Sequence, residues 1–476
     1  MNLPQAYLAL VLLATPLGSP LTTIFAYWAL AGGIFMALSS KKSENEEKTV
    51  IPDAMLGIPI AILIISRALP IMRWGGIMGL GADSAAYYLN FNRCLETFAS
   101  CAATPIALFA YPSSAIGMGP ETALITLALC AQAGLAAMLY VAAKEYSSRN
   151  AAFWSLMAFA LSLPQFLTYW SFFLNMEIAM AFTLCAMVAY QRRSPYAALW
   201  ATAAGIIHFV TFVPLAITLL GLVIIDKEKQ RYGMMILGIS LLGTLIYQFP
   251  AIAGYAENAA SYAVGTYGRE KALFLAGHFV NFSFYHSALM LFYLPFALYA
   301  LAQGIRSEKL SFMGIYALVT IALVALNSIF HNRFILLFDI AAIMLAGETI
   351  KIFYGILLRN RVSKACGYLL FLALAGYTLY ESARMEPLMD KREFAEVKAL
   401  AGRYGALPIF VNSPTYRQFL EGYGGHPAIA SSFAREPWRT GKTEALIYNA
   451  RRSGAFEPHG DPRYGKISDR VWKYEP

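Results

Sequence analysis

The sequence predicts an α-helical polytopic membrane protein of about 12–13 spans, followed by a small external α/β domain. Three observations carry this. The 476 residues are 58% hydrophobic and only 14% charged, with a mean hydropathy of +0.53. The apolar residues fall in continuous runs of roughly 17–25, the length a helix needs to cross a hydrocarbon core. After Glu381 the composition changes: residues 382–476 hold 15 of the 37 Lys and Arg and no long apolar run. Continuous rather than alternating apolar runs exclude a transmembrane β-barrel. The formal charge of +9 does not point to nucleic acid, because the basic residues punctuate the spans and no RNA- or DNA-binding motif is present.

The N-terminus, Met1-Asn2-Leu3-Pro4, has no basic residue before its apolar run, so a retained membrane segment is expected rather than a cleaved signal. Residues 3–39 are apolar and broken at Pro16 and Pro20, giving two short spans or one span with a re-entrant piece. Lys41, Lys42 and Lys48 mark a cytoplasmic turn. Residues 52–70 then run outward to an external loop at 71–115. Segments 119–142, 151–169 and 174–190 alternate across the bilayer and end at Arg192-Arg193. Residues 196–225 are long enough for a tight hairpin of two short spans with a polar break at His208, closing on Lys227, Lys229 and Arg231. Residues 232–252 lead to a second external loop at 253–282. Segments 283–304, 310–330, 334–357 and 366–380 complete the membrane domain, 1–381. Nearly every basic cluster between spans falls on one side, as the positive-inside rule requires. The protein is therefore expected in the cytoplasmic membrane, with its active site and its C-terminal domain, 382–476, outside. No internal repeat is evident.

In that external domain 391–404 reads as a helix, 406–412 as a buried strand, 415–423 as a helix and 426–430 as a short strand, an α/β pattern. Cys130, Cys185 and Cys366 lie in or beside apolar segments and read as packing residues. Cys94 and Cys101 are two helical turns, roughly 10 Å, apart, too far for a disulfide on one helix. No metal-ligand spacing is present.

The residues that can carry chemistry gather at the external ends. Asp83, in Gly81-Ala82-Asp83-Ser84-Ala85-Ala86-Tyr87-Tyr88, precedes an amphipathic helix in which Tyr88, Phe91, Leu95 and Phe98 recur at helical spacing. It reads either as a helix cap or as a general base at the water–lipid boundary. Arg333, in His331-Asn332-Arg333, reads either as an interfacial anchor or as a cation for a lipid phosphate. His331 beside it, and Arg269 and Lys271 in the second loop, are further phosphate candidates. Tyr87, Tyr88, Glu177, His208, His278, Tyr285 and His286 are candidates for lining a cavity. Asp339 needs a partner inside its span, a nearby cation among the choices.

Four of these features together resemble the GT-C superfamily of integral-membrane glycosyltransferases, which includes oligosaccharyltransferase catalytic subunits, protein O-mannosyltransferases and the aminoarabinose transferase of lipid A. They are the Asp83 loop, the turn from Tyr190 through Arg192 and Arg193 into His208, His331-Asn332-Arg333-Phe334 opening a late span, and the external tail. The resemblance implies a polyprenyl-phosphate or -diphosphate sugar donor, Asp83 at the catalytic position and Arg333 at the donor phosphate. The acceptor would be a glycan, a lipid or a protein. No cofactor is required, and a divalent metal (Mg or Mn) is admitted without being demanded. Two departures stand out: one or two apolar segments precede the acidic loop, and a single Asp replaces a paired acid motif. The tail lacks a Trp-Trp-Asp signature, which argues against N-glycosylation of protein.

The function expected from the sequence is inverting transfer of a sugar from a lipid-linked donor to an acceptor hydroxyl at the external face. The alternatives are a polysaccharide polymerase or ligase, and a transporter or flippase of lipid-linked substrates. A transporter should carry its polar groups at the midplane of broken helices, whereas here they cluster at the outer ends.

Overall fold

In a computed structural model the described residues are 51–74, 83–96, 110, 113–264, 290–357, 361–423, 428–430, 444–449 and 462–475, apart from single positions or pairs at 308–309, 327, 329, 388, 405–406 and 412–413. The chain divides into two compact units. One comprises Met1–Arg67, Ala131–Thr168 and Leu174–Ala383; the other comprises Ala68–Cys130, Tyr169–Phe173 and Arg384–Pro476. The segment Ala68–Cys130 thus clusters with the C-terminal residues.

The helices follow the apolar runs. They are α1 (Gly57–Trp74), α2 (Asp83–Glu96), α3 (Pro120–Tyr146), α4 (Arg149–Leu161), α5 (Leu163–Trp170), α6 (Leu174–Gln191), α7 (Tyr196–Ile207), α8 (Phe209–Ile225), α9 (Gln230–Val264), α10 (Met290–Arg306), α11 (Phe312–Ala325), α12 (His331–Leu357) and α13 (Arg361–Arg384). Among the described residues, four stretches are long and apolar enough to cross a membrane: Ala54–Trp74, Pro120–Tyr146, Leu174–Gln191 and Lys227–Phe249. A fifth is α4 with α5, bent by 56° at Ser162. The expected total of spans includes 1–50 and 265–289, which lie outside the described residues. The helix α9 continues to Val264, beyond the boundary at 252 expected for its span, so the start of the loop expected at 253–282 is helical.

In the first unit α12 packs against α4, α10 and α11, while α7 packs against α6 and α9. The turns that carry basic residues meet at one end. Arg192 pairs with Glu145 at 2.6 Å, Arg193 with Glu228 at 3.9 Å, and Lys351 reaches Ser148 Oγ at 3.3 Å and Glu348 at 3.8 Å. Tyr146 donates to Met187 O and Tyr232 to Ser194 O. The turns at 192–193 and 226–231, expected from sequence on the cytoplasmic side, meet at this end.

The hairpin expected at 196–225 is present, and its turn is a single residue. Tyr232, at the start of α9, bonds to the carbonyl just before α7; Gln248, further along α9, donates to Gly205 O and Ile206 O at the far end of α7. The two helices therefore run side by side in the same direction. Val223, near the end of α8, lies against Gly233 at the start of α9, so the chain folds back at His208. His208 ends α7 through its own N–H to Ala204 O and caps α8 by accepting from Thr211 N–H on Nδ1.

Close approach of α4 and α12 depends on Gly347. A Cβ there would lie 2.6 Å from Ala151 O, a backbone atom that cannot rotate away. Gly347→Val is expected to destabilise the protein by about 1–3 kcal/mol through overpacking, read as a lowered Tm in detergent.

The second unit holds α14 (Lys391–Tyr404), α15 (Pro414–Gly422) and a five-stranded sheet: β1 (Ile409–Val411), β2 (Ala428–Ala430), β3 (Ala445–Tyr448), β4 (Tyr464–Lys466) and β5 (Val471–Tyr474). Its order is β2-β1-β3-β5-β4; β2, β1 and β3 are parallel, while β5 and β4 run antiparallel. Every residue of β1 and β3 is buried, as expected of parallel strands covered on both faces. One core cluster joins Phe410, Ala445, Ile447, Tyr464 and Tyr474, with Trp472 against it. Trp74 Nε1 donates to Met385 O at 2.8 Å, and Lys398 pairs with Glu121 at 2.8 Å, tying the segments of this unit together.

Candidate functional site

In the second unit, Asp83 is the first residue of α2 and is half-buried. The apolar row of this helix decides which way it faces. Ser84, Ala85 and Phe91 are fully buried, and α15 of the C-terminal domain packs against this helix. Tyr423 donates its hydroxyl to Ser84 Oγ at 3.2 Å, and its ring lies 4.8 Å from that of Tyr88. Burial pushes the Tyr423 phenol above its usual range, so the group stays protonated and keeps donating. Asp83 and Tyr87 are four residues apart and share the adjacent face. Tyr87 meets Phe172 edge-on at 5.3 Å. The two tyrosines expected to line a cavity therefore separate: Tyr88 holds the helix to the tail, whereas Tyr87 lies on the Asp83 side.

In the first unit, Arg333 opens α12. Its N–H bonds to Phe330 O at 2.8 Å, and Phe330 adopts a φ of 66°, an uncommon conformation for a bulky residue. The Arg333 guanidinium lies within electrostatic reach of the His208 ring. Since Nδ1 of His208 accepts from a backbone N–H, the neutral ring carries its proton on Nε2 and has a donor to offer. Lys351 follows Arg333 by 18 positions on one helix, about 27 Å, so Arg333 stands at the end opposite the gathered basic turns. The side chain of His331 lies outside the described residues, as do Arg269, Lys271, His278, Tyr285 and His286.

Glu177 is 2% exposed and accepts from Gln132 Nε2 at 2.7 Å. The charge of Arg67 acts on it. Arg67, 1% exposed, lies over the rings of Phe159 at 5.9 Å and Phe166 at 5.6 Å, and its Nη1 donates to Ser66 Oγ at 2.9 Å. Glu177 thus belongs to a buried polar cluster. The sequence reading passed over Arg67; its signal was an arginine inside an apolar run, which requires partners. Asp339 is fully buried and accepts from Ser162 Oγ at 2.9 Å, from Gln165 Nε2 at 2.8 Å and from the Tyr293 hydroxyl. These are neutral donors rather than a cation, and they pin the bend between α4 and α5.

Among the described residues no three His, Cys, Asp or Glu side chains come together as a metal site. An apolar cavity in the first unit is lined by Phe153, Trp154, Phe296, Phe353, Tyr354 and Phe371 among others. None of the polar candidates lines it, so it suits hydrocarbon and not the reacting groups.

This arrangement of helices recurs in solved structures. The archaeal oligosaccharyltransferase AglB from Archaeoglobus fulgidus, in complex with an inhibitory peptide and a dolichol-phosphate, matches 83% of this chain and 69% of its own, at 12% identity and a TM-score of 0.57. ArnT from Cupriavidus metallidurans, bound to undecaprenyl phosphate, matches 89% of this chain and 98% of its own, at 12% identity and a TM-score of 0.53. A mutant of the arabinofuranosyltransferase AftD from mycobacteria matches 84% of this chain and 37% of its own, at 12% identity and a TM-score of 0.50. All three are GT-C glycosyltransferases, and the chain has their fold. No protein-family model matches the sequence, and no curated protein sequence matches it.

Proposed function

We propose that this protein is an inverting glycosyltransferase that moves a sugar from a polyprenyl-phosphate-linked donor to an acceptor hydroxyl at the external membrane face. The observation that carries the reading is Asp83 at the head of a helix clasped by the external domain, within a GT-C fold. The structural relatives solved with dolichol-phosphate and undecaprenyl phosphate support a lipid-phosphate donor here. In the proposed reaction the acceptor oxygen attacks the anomeric carbon while Asp83 takes the hydroxyl proton. The bond from that carbon to the phosphate oxygen breaks, and its electron pair leaves with the phosphate. Arg333 stabilises the departing charge, with His331, Arg269 and Lys271 as further cations for the same group. A single displacement inverts the anomeric centre.

The test is mass spectrometry of envelope glycans and lipid carriers from cells lacking the gene, with and without the wild-type copy. A sugar that disappears with the gene, while its lipid-linked form accumulates, names the donor class. An unchanged glycan profile with altered sidedness of a lipid-linked intermediate would favour the flippase reading instead. Arg333→Ala is expected to weaken undecaprenyl phosphate binding by about 10–100-fold, the worth of one charge-assisted contact, with Arg333→Lys recovering part of it. Native mass spectrometry of the detergent-solubilised protein reads both.

A further inference from the structure

We propose that Tyr423 and Gly422 of the C-terminal domain are positioning residues for Asp83, fixing the rotation and register of the helix that carries it. The inference rests on the reading of Asp83 as the base. Three residues in the first two turns of α2 are held by the junction between α15 and its last tyrosine. Ser84 accepts the Tyr423 hydroxyl at 3.2 Å. Tyr88 lies against the Tyr423 ring at 4.8 Å. Ala85 presents its backbone to Gly422 so closely that a Cβ there would fall 2.7 Å from the Ala85 carbonyl carbon. Only glycine permits that approach, because the obstacle is main chain.

Tyr423 is itself wedged, with Phe394 at 4.8 Å edge-on and Phe419 at 5.5 Å in a stack. Its hydroxyl and ring therefore report the position of the external domain directly to the residue beside Asp83. Neighbouring residues on a helix differ by about 100° in direction. Holding Ser84 against the tail thus sets the direction of the Asp83 carboxylate on the adjacent face. A helix free to roll by a fraction of that angle, or to slide along its axis, would carry the carboxylate off its line to the acceptor hydroxyl. A misplacement of about 1 Å costs on the order of 100-fold in rate. Neither residue is among the cations proposed for the lipid phosphate, so the effect belongs to turnover and not to donor binding.

Two variants separate this role from simple packing. Tyr423→Phe keeps the ring contacts and removes only the hydroxyl; Gly422→Ala pushes the main chains apart. Both are made in the full-length protein and compared with wild type and Asp83→Asn. Three readouts are taken: hydrogen exchange of peptides from 83–96, undecaprenyl phosphate binding by native mass spectrometry, and consumption of the lipid-linked sugar that accumulates in membranes of the deletion strain. The expected result is faster exchange at 83–96 with unchanged lipid binding. Turnover should fall about fivefold for Tyr423→Phe, one hydrogen bond, and about 100-fold for Gly422→Ala. Wild-type turnover in both variants, with Asp83→Asn inactive, overturns the positioning role and leaves the base standing. Wild-type turnover in Asp83→Asn overturns the base, and the positioning role with it.

Discussion

Asp83→Asn is expected to lower sugar transfer by about 10²–10⁴-fold, the usual contribution of a positioned general base. The change is nearly isosteric and leaves the contacts of Ser84, Ala85 and Tyr88 with the tail in place, so folding should be preserved. Asn also remains compatible with a helix start. What it loses is the ability to accept a proton. Asp83→Glu should retain a fraction of the activity, because a base remains but stands one methylene further out. The measurement is the mass-spectrometric profile of the complemented deletion strain at matched expression. Accumulation of the lipid-linked donor with Asp83→Asn identifies chemistry as the blocked step, whereas full restoration of the glycan would leave Asp83 as a helix-start residue.

The second large effect is on stability. Glu177→Leu strips the acceptor from Gln132 Nε2 inside the helical unit. Leaving that buried amide without its partner costs about 1–3 kcal/mol. Gln132→Leu combined with Glu177→Leu should recover much of that loss, since replacing both partners by apolar groups of similar shape is close to neutral. Thermal unfolding followed by size-exclusion chromatography reads the single and double variants. A Glu177→Leu protein as stable as wild type would show that this hydrogen bond does not contribute to the fold.

The course of the chain was legible because charges punctuate it. The clusters at 192–193 and 226–231 were assigned to one side from sequence, and the pair Arg193–Glu228 brings them together, with Arg192–Glu145 and Lys351–Ser148 at the same end. The helix at Lys391–Tyr404 and the strand within 406–412 followed from strong periodicity. Strands β3, β4 and β5 did not, being three or four residues long and defined by pairing with one another. The site was legible only residue by residue. Asp83 and Arg333 stood out as charges flanking apolar runs. That Asp339 would meet Ser162, Gln165 and Tyr293 could not be read, because residues up to 177 positions apart are joined by packing alone. Tyr423 was visible only as the last residue of an expected helix, and its partner lies 339 positions away.

The hairpin that turns at His208 has a consequence for the bilayer itself. Its first limb has 12 residues, about 18 Å of helix, and its second has 17, about 25 Å. A hydrocarbon core is about 30 Å thick. A hairpin with both feet at one surface of such a core has its polar tip several ångströms short of the other. Lipids around a short hydrophobic segment adjust by thinning. The expected consequence is a hydrophobic mismatch beside the hairpin, a patch where headgroups dip inward and the distance from water to the tip shrinks.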